Sequence, residues 1–199
     1  MIGFLRGTVD EKQAPHVVID VNGVGYDVET PMSSFFNLPA LGETVSLRTH
    51  LVVREDAHVL YGFLTEQERA LFRSLIKVNG VGPKVALGIL SGVSVSDFCL
   101  WVSDSNVAAL VRLPGIGKKT AERLVIDMRD RLPEGTVTTT PPPLGVLTQK
   151  TSAVEEAISA LVALGYKPQD AEKRARAVAS DDASSEQIIR SALQSAAKK

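Results

Sequence analysis

The sequence predicts an α+β, multidomain chain: an amino-terminal β-barrel over residues 1–63, a central all-helical domain over 64–132 and a three-helix tail over 151–199. Three observations predict it. Residues 1–63 alternate β-branched and aromatic runs with turn residues; from residue 64 the apolar spacing becomes that of a helix; and a Thr/Pro/Gly-rich stretch, 133–150, reads as an extended, mobile linker. With 199 residues, 44% of them hydrophobic, the chain can fill two to three small cores.

The strands follow in order. IGFLRGTV is the first, HVVIDV and VGYDVET flank an Asn22-Gly23 hairpin turn, PMSSFFNL is a short helix, and TVSLRTHLVV and AHVLYGF complete the set. Five strands with a short helix between the third and fourth fit an OB-type barrel, and other small barrels fit the same pattern. Arg54-Glu55-Asp56, flanked by LVV and VLYGF, must be a hairpin tip, with the carboxylates of Glu55 and Asp56 side by side in solvent. Acidic turns are common, so taken alone the pair reads as an ordinary solvated turn.

The helices begin at Thr65, which forms a capping box with Glu68, and Leu71, Leu75, Ile76 and Val78 supply an apolar face. Further helices are expected at 83–91, 96–103, 105–112 and 118–130, with Ser105 as a cap. In the tail, Ser152 caps with Glu155; Val154, Ile158, Leu161 and Val162 face inward, and Gly165 closes the helix. A second helix starts near Pro168, and Ser184 with Gln187 starts a third that carries Ile188, Ile189, Ala192 and Leu193. A tethered bundle this small barely buries a core and suits docking onto a partner better than catalysis.

VNGVGPKVALGIL (78–90) and LPGIGKKTAERLV (113–125) carry glycines, a lysine, an alanine and apolar positions in register. In each, an apolar residue (Val78, Leu113) precedes a tight turn, Gly80-Val81-Gly82 or Gly115-Ile116-Gly117, and a helix follows. The middle residue is expected to be buried and to pin the turn. A helix start with unpaired amides and a partial positive charge binds phosphate, and Lys84, Lys118, Lys119 and Arg123 add full charges. One such turn could be a plain αα-corner; two with lysine at the same offset argue for phosphate. The net charge of −1 is no objection, because charge is segregated: four Lys/Arg against eight Asp/Glu over 1–63, but ten against seven over 64–132. Nucleotide binding fails on spacing. A P-loop needs Gly at 112 and Ser or Thr after Gly117-Lys118, where Arg112 and Lys119 stand, and a dinucleotide fingerprint needs a preceding strand and a third glycine, where Val85 and Thr120 stand.

The remaining chemistry is sparse. The terminus MIGFLRGTVD is not a leader and no window approaches eighteen apolar residues, so a cytoplasmic protein is expected, with no membrane association. Cys99 is alone, and His16, His50 and His58 lack ligand spacing; no metal, cofactor or catalytic residue is expected. A glycosylase or nuclease would need a catalytic Lys/Asp pair or a carboxylate cluster beside a hairpin, and Asp104 or Asp127 alone supplies neither.

The paired turns resemble the helix-hairpin-helix motif, h-x-G-h-G-x-x-x-A, which grips duplex DNA by its backbone. Taken with the barrel, HLVVREDAHVLYGF, LTEQERALFRSLIKVNGVGPKVAL, LPGIGKKTAERL, the proline-rich linker and the helical tail, the whole chain resembles the RuvA family of bacterial Holliday-junction-binding subunits, without departure at the motif positions. The resemblance implies an OB barrel, tandem helix-hairpin-helix motifs and a tail similar to ubiquitin-associated domains. It implies a homotetrameric platform for an open, square four-way junction, one or two tetramers per junction being left open. Phosphate contacts would come from Gly80, Val81, Gly82, Lys84, Gly115, Ile116, Gly117, Lys118, Lys119 and Arg123, and Glu55 with Asp56 would form an acidic pin at the crossover. The partner would be RuvB, a hexameric ATPase that drives branch migration in recombination and repair, held through Leu161, Leu164, Tyr166 and Ile189; RuvC, a resolvase, would share the junction. The chain itself would be non-catalytic. The alternative is a general structure-selective adaptor for duplex DNA built on the same motifs.

Overall fold

The computed structural model describes residues 1–129, 153–179 and 183–197. Residues 1–63 form β1 (Phe4–Gln13), β2 (His16–Val21), β3 (Val24–Glu29), α1 (Met32–Phe35), β4 (Thr44–Val53) and β5 (His58–Phe63). The strands close into a barrel in the order β1-β2-β3-β5-β4, with β1 pairing to both β2 and β4. A single parallel pair, Glu29 with Tyr61, closes β3 onto β5. The OB-type architecture expected from the strand pattern is therefore present. The β2–β3 turn forms because Asn22 and Gly23 both adopt positive φ, 53° and 88°, and Asp20 Oδ1 accepts the Gly23 amide at 2.6 Å. Leu5, Val9, Val17, Ile19, Val28, Val45, Leu47 and Leu60 fill the interior. β1 extends past the expected IGFLRGTV: after a register shift between Val9 and Glu11 it continues to pair with His16–Val18 through polar residues, which carry no hydrophobic signal.

The middle region contains α2 (Glu66–Leu75), α3 (Pro83–Gly92), α4 (Val95–Ser103), α5 (Val107–Leu110) and α6 (Lys118–Arg129). These helices share a core with the barrel wall. Tyr61 and Phe63 of β5 belong to the helical cluster, each ring 5.0 Å from that of Phe72. His50 of β4 stacks edge-on against the same ring at 5.7 Å; burial first, then the Arg73 and Arg69 charges, hold its pKa below the ordinary histidine value.

Glu68 completes the expected capping box with Thr65 and does more. Its buried carboxylate also accepts from Ser33 Oγ at 2.7 Å and Ser34 Oγ at 2.9 Å, tying α1 of the barrel to α2. Arg69 Nη1 donates to the Gly3 carbonyl at 2.8 Å, and the Met32 amide to Ser91 Oγ on α3 at 2.9 Å. Barrel and helices accordingly form one compact unit.

The helix expected over 105–112 is shorter, and Ser105 does not cap it. Asn106 does, its Oδ1 accepting the Ala109 amide at 3.0 Å. Ser105 has φ 54° and ends α4: its amide bonds the Val102 carbonyl, while the Asn106 amide bonds that of Trp101. This is a Schellman stop with serine where glycine is usual, so composition gave no warning.

In the tail, α7 (Ala153–Ala163), α8 (Pro168–Val178) and α9 (Ser185–Ala197) belong to a separate unit. Gly165, φ 98°, closes α7 by the expected glycine stop, with its amide on Val162 O and that of Tyr166 on Leu161 O. Ser184 and Gln187 exchange the two bonds of a capping box. The core is Ala157, Leu161, Ala171, Ala175, Ile188 and Ala192, mostly alanine, so the helices approach closely but bury little. Val162, expected inward, is 39% exposed, because the stripe 154, 157, 158, 161 carries the packing and leaves 162 at its edge. Ser152 and the expected linker at 133–150 lie outside the described residues.

Candidate nucleic-acid interface

The two glycine turns fold alike, bond for bond. Val78 and Leu113 occupy the apolar entry positions, and their carbonyls accept the amides of Val81 at 3.0 Å and Ile116 at 3.2 Å. Gly80 and Gly115 take φ of 90° and 77°, a region open mainly to glycine. The first intrahelical bonds are Ala86 to the Gly82 carbonyl at 3.0 Å and Ala121 to the Gly117 carbonyl at 2.9 Å. Val81 and Ile116 are 4% and 5% exposed, and so pin their turns as expected. Their amides are also used inside the turn, so they offer an approaching anion neither side chain nor free N–H.

The open donors lie one step later. A helix leaves its first amides without intrahelical carbonyls, which are those of Gly82, Lys84 and Val85 for α3 and of Gly117, Lys118, Lys119 and Thr120 for α6. Val85 and Thr120 do not stand out in the sequence as phosphate donors; helix-start numbering is the signal that finds them. The second turn is richer, because Pro83 has no N–H where Lys118 supplies both an amide and a charge.

Lys84, Lys118 and Lys119 are exposed, and among the described residues none of them is in an ion pair. The same holds for Lys77 and Arg112, which occupy equivalent positions just before the two turns and extend the basic repeat beyond the motif itself. Arg123 is placed differently: it is half-buried, and its Nη1 donates to the Asn79 carbonyl at 3.2 Å.

Gly82 and Gly117 are informative by contrast. Gly82 has an ordinary φ of −86°, Gly117 has no positive φ, and a Cβ on either would meet nothing within 4 Å. Neither backbone nor packing among the described residues requires glycine there, whereas close approach of an external group to the helix start would.

The other candidate sites belong to other elements of the chain. The β4–β5 hairpin closes through the Arg54 amide on the Ala57 carbonyl at 2.8 Å, and Arg54, Glu55 and Asp56 are all exposed at its tip. In the tail, Leu161 is fully buried in its own core, so it cannot touch a partner while the module stays folded. Leu164 is 62% exposed; Tyr166 and Ile189 are partly buried against the bundle, with Arg174 5.4 Å above the Tyr166 ring. Among the described residues no group of three His, Cys, Asp or Glu side chains could hold a metal ion, and no single helix is long and apolar enough to cross a membrane.

Comparison with known proteins covers nearly the whole chain. Residues 1–62 match the RuvA N terminal domain, 72–130 the SAM-like Helix-hairpin-helix tandem and 152–197 the RuvA, C-terminal domain. The chain is 55% identical over 201 residues to a protein of Thioalkalivibrio sulfidiphilus, covering 100% of both. It is 53% identical to one of Coxiella burnetii, covering 97% of this chain and 96% of that one, and 55% identical to one of Vibrio parahaemolyticus, covering 98% and 99%. Each of these relatives is named Holliday junction branch migration complex subunit RuvA. Three domain matches in order, with more than half of all positions identical along the full length, place this chain in the RuvA family.

Proposed function

We propose that the chain binds four-way DNA junctions as a non-catalytic subunit of a branch-migration complex. The observation that carries this reading is the pair of matching turns, each ending on an exposed glycine that the described residues do not need, beside lysines that make no ion pair among the described residues. Contacts of this kind engage phosphates and not base edges, which suits a platform over which DNA must slide. Four copies would set eight such turns around the crossover, with Glu55 and Asp56 of each copy at the centre repelling phosphates and steering strands into neighbouring arms. RuvB would supply ATP hydrolysis and dock on the tail through Leu164, Tyr166 and Ile189, and RuvC would share the junction.

Gel-shift titration of a four-way junction against linear duplex of the same total length tests the proposal. Junction affinity well above duplex affinity at matched salt is expected. Equal affinities would leave a general helix-hairpin-helix duplex adaptor in its place.

A further inference from the structure

The two hairpins brace each other across the repeat. On α3, a Cβ at Gly88 would stand 3.3 Å from Pro114 Cγ and one at Gly92 3.4 Å from Leu113 Cδ2, so the helix of the first motif lies directly against the turn of the second. The offset that carries Val78 to Leu113 also carries Gly88 to Arg123 and Asn79 to Pro114. The brace is therefore repeated in the opposite direction with different chemistry: Arg123, on the helix of the second motif, donates Nη1 to the Asn79 carbonyl in the turn of the first, at 3.2 Å.

The contact, not the charge, sets the role of Arg123: Lys84 recurs in Lys119, but Lys118, read as a phosphate ligand, recurs as Pro83, so recurrence of a cation does not decide it. Arg123 recurs as glycine, while the contact from helix to opposite turn recurs intact. The bonded carbonyl is moreover the one preceding Gly80, so it sets the peptide plane that leads into the residue at φ 90°. We propose that Arg123 is a positioning residue, which locks the first turn to the second helix and so fixes the spacing between the two phosphate-binding turns. This rests on reading both turns as phosphate sites.

Amide hydrogen exchange on the full-length free protein tests the brace without DNA. Arg123→Ala and Arg123→Gln should each accelerate exchange of the Val81 amide by about three- to tenfold, the range for losing one hydrogen bond that limits local opening. The Ile116 amide in the second turn should not change, and Lys119→Ala should change neither. On a four-way junction, Arg123→Ala should be non-additive with Lys84→Ala, because both act through the first turn. Unchanged Val81 exchange in both Arg123 variants overturns the proposal, and so does additivity with Lys84→Ala. Faster Val81 exchange in a protein whose lysine variants keep full junction affinity supports the brace and overturns the phosphate reading instead.

Discussion

Lys118 and Lys119 sit at the first two positions of α6, exposed and, among the described residues, free of ion pairs, so their charge adds to that of the amides beside them. Replacing both by alanine should lower affinity for every junction sequence alike and flatten the dependence of log K on log salt, by about 0.9 unit for each phosphate that is no longer neutralised. Lys84→Ala should cost less, since Pro83 already deprives the first turn of an amide. An unchanged salt slope in the folded double variant would remove the assignment. Glu55 and Asp56 carry the opposite charge and are proposed to act with the opposite sign. Glu55→Gln with Asp56→Asn should strengthen binding to linear duplex more than to junctions, lowering selectivity. The tip is exposed and its closing bond is backbone to backbone, so stability should change by no more than about 0.5 kcal/mol. A constant ratio of junction to duplex affinity at matched ionic strength would reduce the pair to an ordinary turn.

At the scale of the element, each hairpin uses its two glycines differently. Gly80 and Gly115 are held at positive φ, so alanine there should destabilise the unit by about 1–2 kcal/mol, measured by denaturant unfolding. Gly82 and Gly117 precede helices in open space, and Gly82→Ser or Gly117→Ser should leave stability equal or slightly raised, because serine is a better helix cap. The new side chain would obstruct an approaching phosphate, so junction binding should fall although the fold does not; retained affinity would place the contact elsewhere. Much of this is legible in the sequence, because Gly-x-Gly between apolar positions fixes a turn, and the capping boxes at Thr65 and Ser184 mark helix starts by local chemistry alone. What is not legible depends on partners distant in the chain or on unusual residues. Val81 and Ile116 are expected from the motif to meet phosphates, yet the turn consumes their amides. Ser105 enters the left-handed region without being glycine, and Arg123 finds a carbonyl 44 positions away.

At the scale of the whole molecule, the chain keeps two kinds of core. The barrel and the hairpin helices are cross-braced by Phe72, Glu68 and Arg69 into one unit, which would suit the proposed platform, where the two turns have to stay at a set distance. The tail has a core of its own, built largely on alanine, and no described residue of it belongs to the barrel or hairpin clusters. Phosphate binding and motor docking are thus proposed for separately folded parts, joined by chain that also sets the effective concentration of one at the other. Introducing a protease site within 133–150 and cutting after assembly should leave junction affinity unchanged, because both turns, their lysines and the brace lie before the cut. RuvB-driven branch migration should be abolished, since the docking surface around Leu164 would no longer be tethered to the DNA-bound part. Adding the cut tail back in trans should restore little at micromolar concentrations, because covalent linkage of two binding modules supplies an effective concentration of roughly millimolar order. Full motor-driven migration after complete cleavage would show that RuvB engages the barrel and hairpin unit directly, and the docking role of the tail would have to be given up.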